Sequence, residues 1–205
     1  MYYKQDFEKW LDENVNQYDY AIIDPPWNYD DKRPAMLQNQ LTYNLWDNTK
    51  LVDIFKKINT SYIFLWVTNS MLPVMFDAVK ESDYQFKVLI PWVKLTVNDK
   101  LAYGTGNSFR NCVEYLTLFQ KPDAKVLRLN DRNLIMEQSG ARTIKPKVWE
   151  RELVDTLSHK GMKGVYIFSG GNLDFMDSVD IVEENKINKK SLFETVETDE
   201  GKVTD

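Results

Sequence analysis

One cysteine and one histidine are all the thiol and imidazole chemistry in this 205-residue chain. Cys112 has no second cysteine to pair with, and together with His159 it falls short of the four ligands of a structural zinc site. Neither a disulfide framework nor a metal centre is expected. No stretch approaches the roughly 18 to 20 apolar residues that a membrane span needs. The opening Met1-Tyr2-Tyr3-Lys4-Gln5-Asp6 lacks the basic and apolar regions of a secretory leader. No internal repeat is visible. These absences predict a soluble, reduced, cytoplasmic protein without metal.

Hydrophobic residues make up 43% of the chain and aromatic residues 13%, enough to fill one core in a single domain. The net charge of −5 argues against a polyanion partner until it is divided along the sequence. Residues 80–165 hold 15 basic and 10 acidic groups, whereas residues 1–79 and 166–205 are both acidic. A phosphate backbone responds to the local patch, because salt screens charges beyond about 10 Å. A solvated mixed-charge surface remains the plain alternative.

Short apolar runs rich in β-branched and aromatic residues predict strands at 18–23, 62–67, 86–93, 114–119 and 165–168. Between them, helical spacing places Leu51, Ile54, Phe55 and Ile58 on one face, Leu72, Met75, Phe76 and Val79 on another, and Val148, Leu153, Val154 and Leu157 on a third. Strands alternating with helices predict an α/β fold with a largely parallel, buried sheet. Loops over 28–48 and 96–110 are long enough to be functional, and in an open α/β sheet they fall at the carboxyl ends of strands, where ligands bind. From about Glu183 the sequence turns acidic and polar, which predicts a flexible tail over 185–205 behind a domain spanning 1–184.

The strongest chemical signal is Ala21-Ile22-Ile23-Asp24-Pro25-Pro26-Trp27-Asn28-Tyr29. Two prolines remove two backbone donors and fix φ near −65°. The strand end becomes a rigid hook with outward carbonyls and no local partner, an ionised acceptor in Asp24 and an aromatic face in Trp27. Such a hook suits an exocyclic amine on a flat ring, as in adenine: acceptors for its two N–H bonds, and a stacking surface worth roughly 1–3 kcal/mol. Acceptors on both N–H bonds localise the nitrogen lone pair and aim it at a methyl sulfonium, so positioning and electrostatics carry the reaction. A target base has to leave its stack to reach the hook. A proline-rich turn that ends a strand, with Trp27 in the core, is the plain alternative.

Together with four further motifs, this element resembles the MT-A70 family, which includes the catalytic subunit of the eukaryotic mRNA adenosine methyltransferase and smaller bacterial and phage adenine methyltransferases. After Asp24-Pro25-Pro26-Trp27 come Phe64-Leu65-Trp66-Val67-Thr68-Asn69, Pro91-Trp92-Val93-Lys94, Gly104-Thr105-Gly106 with Arg110-Asn111 and Glu114, and Lys145-Pro146 ahead of Val165–Gly171. The resemblance covers roughly residues 18–172. It implies a Rossmann-like fold in permuted motif order, with helices on both faces of the sheet, and S-adenosyl-L-methionine as cofactor. It implies methyl transfer to the N6 nitrogen of adenine in nucleic acid, DNA ahead of RNA because no zinc-finger or accessory RNA-binding segment is present.

The resemblance also implies roles for single residues. Asp24, Pro25, Pro26 and Trp27 form the catalytic element, and Asp24 also meets the cofactor's amino group. Lys145, beside free N–H groups at a helix N-terminus, takes the methionine carboxylate. Phe168, Ser169, Gly170, Gly171 and Asn172 line the cofactor, with Asp174 as the reserve ribose contact. Asp6 and Phe7 lie where relatives touch the cofactor's adenine, an N-terminal helix face being the alternative. Trp27, Asn28, Tyr29, Lys94, Gly104, Gly106, Arg110, Asn111 and Glu114 are expected at the substrate.

Several of these residues carry plainer readings. Lys94 could be a solvated strand-end lysine, and Arg110 could form an ion pair with Glu114. Tyr29, Tyr43 and Trp46 form either a lid or packing anchors. Lys121, Lys125, Arg128, Arg132, Arg142 and Lys147 are candidates for backbone contacts, and His159 reads as a surface residue. A non-catalytic partner subunit and a cytosine-N4 methyltransferase are the alternative functions. A homodimer or a related methyltransferase-like subunit is the protein assembly left open.

Overall fold

The computed structural model describes residues 2–5, 7–14, 16–27, 46, 48–104, 108–140, 144–169 and 173–181. In chain order they form β1 (Tyr2–Gln5), α1 (Phe7–Asn14), β2 (Tyr20–Ile23), α2 (Asn48–Lys57), β3 (Tyr62–Val67), a 3-10 turn at Asn69–Met71, α3 (Leu72–Lys80), β4 (Gln85–Leu95), β5 (Val113–Gln120), β6 (Ile135–Gln138), α4 (Lys147–His159), β7 (Gly164–Ile167) and β8 (Asp177–Ile181). The strands make one eight-stranded sheet in the order β1-β8-β7-β2-β3-β5-β4-β6. Every pairing is parallel except the two made by β5, which runs antiparallel to β3 and β4. This is the Rossmann-like, mostly parallel α/β sheet expected from the sequence.

Strands β2, β3 and β7 are buried along their whole length, which explains their continuous apolar runs. Successive side chains alternate between two cores. Ala21, Ile23, Ile63, Leu65, Val165 and Ile167 face α1, α2 and α3, where Trp10, Leu11, Leu51, Ile54, Phe55, Met75 and Ala78 meet them. Tyr20, Ile22, Phe64, Trp66 and Tyr166 face the other way onto Leu153, Val154 and Leu157 of α4. Each buried Ile, Leu or Phe contributes about 1.5–3 kcal/mol, so a one-residue slip of β2 would cost both cores. Gly164 is required by the second core: a Cβ there would lie 2.0 Å from the Tyr20 ring.

Four elements go beyond the sequence expectation. Strand β1 and helix α1 occupy the N-terminal segment; α1 begins at Phe7 and buries Trp10 and Leu11. Strand β8 lies inside the sheet between β1 and β7 although two of its five residues are aspartates, and β6 is a four-residue edge strand. The tail over 185–205 lies outside the described residues. No described helix is long and apolar enough to cross a membrane.

The chain leaves β2 toward β3 and leaves β7 toward β8, in opposite directions along the sheet. The parallel β2–β7 pair is therefore a topological switch point, and its carboxyl end is where open α/β sheets bind ligands.

Candidate active site

Asp24 is the first residue beyond β2, and its backbone N–H donates to the carbonyl of Ile167 at the end of β7 (3.1 Å). That bond places its side chain in the crevice. Lys145, two residues before α4, brings its Nζ to 2.9 Å from Asp24 Oδ2 and 3.3 Å from Glu114 Oε2. Glu114 also accepts a hydrogen bond from Lys94 Nζ through Oε1. Four alternating charges thus run Asp24, Lys145, Glu114, Lys94 across the ends of β2, β5 and β4, with a formal sum of zero. Their side chains are 14–20% exposed, so the chain of charges is largely but not fully removed from solvent.

Burial pushes the Asp24 carboxyl above the ordinary aspartate range, with the Lys145 ammonium pulling against it. Burial alone would lower the Lys145 ammonium, but the carboxylates of Asp24 and Glu114 win and raise it, so it stays a cation. Burial would likewise raise Glu114, but Lys145 and Lys94 hold it below the usual glutamate value.

A floor of tryptophans supports these charges. Trp27 donates its indole N–H to the carbonyl of Trp66 (3.1 Å), the Trp66 indole donates to Glu150 Oε1 (2.8 Å), and the Trp92 indole donates to the carbonyl of Glu137 (3.1 Å). The rings of Trp66 and Trp92 meet edge to face at 5.9 Å. Lys145 Nζ sits 5.7 Å from the Trp66 ring centre and Lys94 Nζ 4.9 Å from that of Trp92, within cation–π range.

The hook differs from its expected form. The carbonyl of Pro25 accepts the N–H of Trp27 (2.9 Å) and that of Pro26 accepts the N–H of Trp46 (2.8 Å), so both have local partners. Trp27 is only 4% exposed and packs in the core, and Trp46 at 3% is an anchor beside it rather than a lid. Proline rigidity serves here to lock Trp27 against Trp46, which leaves Asp24 as the hook's polar, partly open group.

The N-terminus of α4 is also occupied. Glu137 of β6 accepts the N–H of Val148 through Oε1 and that of Trp149 through Oε2, each at 3.0 Å. Of the expected anion site at this helix end, Lys145 is the part that faces the crevice. Arg110 does not pair with Glu114; its guanidinium lies 5.3 Å from the Tyr103 ring centre. Asp174 is exposed, and both its carboxylate oxygens accept from one guanidinium nitrogen of Arg151 (2.7 and 2.8 Å).

Phe168 leaves β7 with φ of 65°, a left-handed conformation that costs a non-glycine residue about 1–3 kcal/mol. Its N–H donates to the carbonyl of Val179 and its ring meets Trp46 edge to face at 4.7 Å, so neighbouring elements impose the turn. Ser169 follows at the crevice, while Gly170, Gly171 and Asn172 lie outside the described residues, as do Asp6, Asn28, Tyr29, Tyr43, Gly106 and Arg142.

Residues 94–102 form a hairpin, closed by hydrogen bonds from Thr96 N to Lys100 O and from Ala102 N to Lys94 O. Gly104 and Asn111 pinch the loop at its base: a Cβ on Gly104 would lie 2.2 Å from the Asn111 carbonyl oxygen. On either side of Gly104, Tyr103 is 82% and Phe109 87% exposed. Lys121 and Lys125 stand at the amino end of β3, about 20 Å along the strands from the crevice, and His159 is exposed on α4.

Sequence reasoning missed Glu150 and Glu137. Glu150 had a readable signal: positions 150, 153, 154 and 157 share one face of α4, so a carboxylate falls within the apolar stripe. No curated protein matches the chain. The MT-A70 family model matches residues 18–172, about three quarters of the sequence, and spans every element that builds the crevice from β2 to the turn after β7. With its acid at the end of β2, its lysine before α4 and this match across both, the chain belongs to the MT-A70 family, whose activity is of the N6-adenine methyltransferase kind.

Proposed function

We propose that this chain transfers a methyl group from S-adenosyl-L-methionine to the N6 nitrogen of an unpaired or flipped adenine in nucleic acid, DNA ahead of RNA. The observation that carries the reading is the contact between Asp24 and Lys145 at the β2–β7 switch point. An acid and a base a few ångströms apart match the ammonium and carboxylate of an amino acid, so the donor set fits the methionine part of this cofactor. When bound, the cofactor supplies an electrophilic methyl on a sulfonium.

Asp24 has two duties in this reading. Its carboxylate attracts the cofactor's ammonium, and it accepts an N–H bond of the adenine amine, which frees the nitrogen lone pair for attack. The amine nitrogen gains the methyl and loses a proton. A carboxyl raised by burial is a better acceptor for that proton than one in water. Lys145 holds the cofactor's carboxylate, with Glu114 and Lys94 balancing its charge. Ser169 and the strained turn at Phe168 bring backbone toward the cofactor at the end of β7.

The exposed Tyr103 and Phe109, with Arg110 over Tyr103, support an unpaired substrate, because splayed bases stack on such rings. The intact acid and lysine weigh against a non-catalytic partner subunit. Incubation with isotopically labelled cofactor and single- or double-stranded DNA or RNA, followed by nucleoside mass spectrometry, tests the reading. Labelled N6-methyladenine is expected. Label on cytosine N4, or no label with any nucleic acid, would sink it.

A further inference from the structure

Glu150 is the one carboxylate in the buried set among the described residues, 3% exposed, and the reaction outlined above does not use it. It lies in the first turn of α4, five residues beyond Lys145. The Trp66 indole N–H and the Tyr166 hydroxyl both donate to its Oε1 at 2.8 Å. Tyr166 comes from β7, whose end carries the Phe168 turn, and Trp66 comes from β3. Glu150 therefore ties three elements together one layer below the crevice.

Trp66 is where this tie meets the chemistry. Its ring is the plate beneath the Lys145 ammonium, and its backbone carbonyl receives the Trp27 indole. A tilt of this ring would take the aromatic face from under the Lys145 ammonium and leave its pairing with Asp24 less fixed. We propose that Glu150 is a positioning residue for methyl transfer, holding Trp66 in the pose that sets Lys145 against Asp24. The inference rests on the function proposed above and adds a residue that touches neither substrate nor cofactor.

The charged and titratable groups around Glu150 are Tyr166 from β7, Asp24 from the end of β2 and Lys145 ahead of α4. Burial lifts its carboxyl to about 7, against the hydrogen bonds from Tyr166 and Trp66. Ionised, it accepts both donors in charge-assisted bonds and attracts Lys145; protonated, it grips them less firmly. Turnover is therefore expected to rise with pH as this carboxyl ionises, around 7.

The test compares the full chain with Glu150→Leu and Glu150→Gln, measuring kcat and KM for labelled methyl transfer to a single-stranded oligonucleotide, and binding of S-adenosylmethionine by calorimetry. Leucine keeps the volume and loses the acceptor, so kcat should fall roughly 10- to 100-fold, the cost of misplaced groups, with oligonucleotide KM nearly unchanged. Glutamine keeps a neutral acceptor like that of the protonated acid, so kcat should sit near the wild type's low-pH level, above the leucine variant, and lose the rise near pH 7. If the leucine variant does not fold, the glutamine pH profile decides: an unchanged inflection overturns the proposal. Wild-type turnover matched by a folded Glu150→Leu variant overturns it alone. A wild type that binds no S-adenosylmethionine overturns the proposed function, and this inference with it.

Discussion

Lys145 bridges Asp24 at 2.9 Å and Glu114 at 3.3 Å, so one ammonium joins the hook after β2 to the strand behind the substrate loop. Neither carboxylate is redundant in this arrangement. Removing Asp24 leaves Lys145 paired with Glu114, whereas removing Lys145 leaves Asp24 without its cation beside a Glu114 that keeps only Lys94, in a site closed to most solvent.

The two single substitutions are therefore expected to differ. Asp24→Ala should reduce methyl transfer at least 100-fold while melting within a few degrees of the wild type, because the remaining cation keeps a partner. Lys145→Ala should raise the cofactor's dissociation constant more than the nucleic acid's. It should also destabilise the chain at neutral pH, since Asp24 is left largely buried without its cation. Calorimetry with cofactor and oligonucleotide, with thermal melts alongside, checks both. Full turnover in Asp24→Ala would remove the mechanism, and equal losses of both ligands in Lys145→Ala would misplace the lysine.

Glu137 gives a prediction about the scaffold. Its two carboxylate oxygens cap the N–H groups of Val148 and Trp149 at the positive end of α4. Pro146, at the cap position itself, makes no side-chain hydrogen bond, so β6 supplies the cap from across the sheet. Glu137→Ala should cost about 1–2 kcal/mol, the range for losing a helix cap, and should loosen the segment that carries Lys145. Denaturant unfolding measures the first effect and amide exchange over 147–150 the second. A melt identical to the wild type would mean the cap contributes nothing.

The parallel core was legible because strands buried on both faces leave an unbroken apolar run, as at Tyr62–Val67, and the helices packed on them keep an apolar stripe. The family order of the motifs made Asp24 and Lys145 legible as a pair, although neither sequence position says that their side chains touch. Other features have no local signature. Strand β8 is polar by composition and is held by its neighbours, and the cap on α4 comes from an edge strand. The sequence left Trp27 open between a stacking face and a core residue, because proline rigidity does not say which way the ring turns; the structure turns it inward, onto Trp66 and Trp46.

Glu150 makes stability depend on pH in a defined direction. Its carboxyl is near 7 in the folded chain and ordinarily near 4.5, so between those values the folded state holds a proton that the unfolded state has lost. Stability is full below about 4.5 with respect to this group and falls as pH rises through about 7, by up to roughly 3 kcal/mol. Glu150→Gln removes the titration while keeping the acceptor. The variant should melt several degrees above the wild type at pH 8, with the gap closing at pH 5. A gap independent of pH would show that Glu150 is ionised throughout.

Tyr103, Phe109 and Arg110 sit on a loop whose two feet, at Lys94 and Glu114, belong to the charged site. A nucleotide next to the target adenine would meet these rings before any other exposed aromatic group on that loop. Stacking is worth roughly 1–3 kcal/mol per base. Tyr103→Ala or Phe109→Ala should thus weaken binding of a single-stranded oligonucleotide about tenfold or more, with cofactor affinity unchanged. Arg110→Ala should lower the slope of log affinity against log salt by about one if it reaches a phosphate. Fluorescence anisotropy across a salt series separates the two effects, because stacking depends weakly on salt and phosphate contacts depend on it strongly. Unchanged affinity in both aromatic variants, together with a loss of self-association in sedimentation, would assign the loop to a protein interface and leave the substrate to be held by the crevice alone.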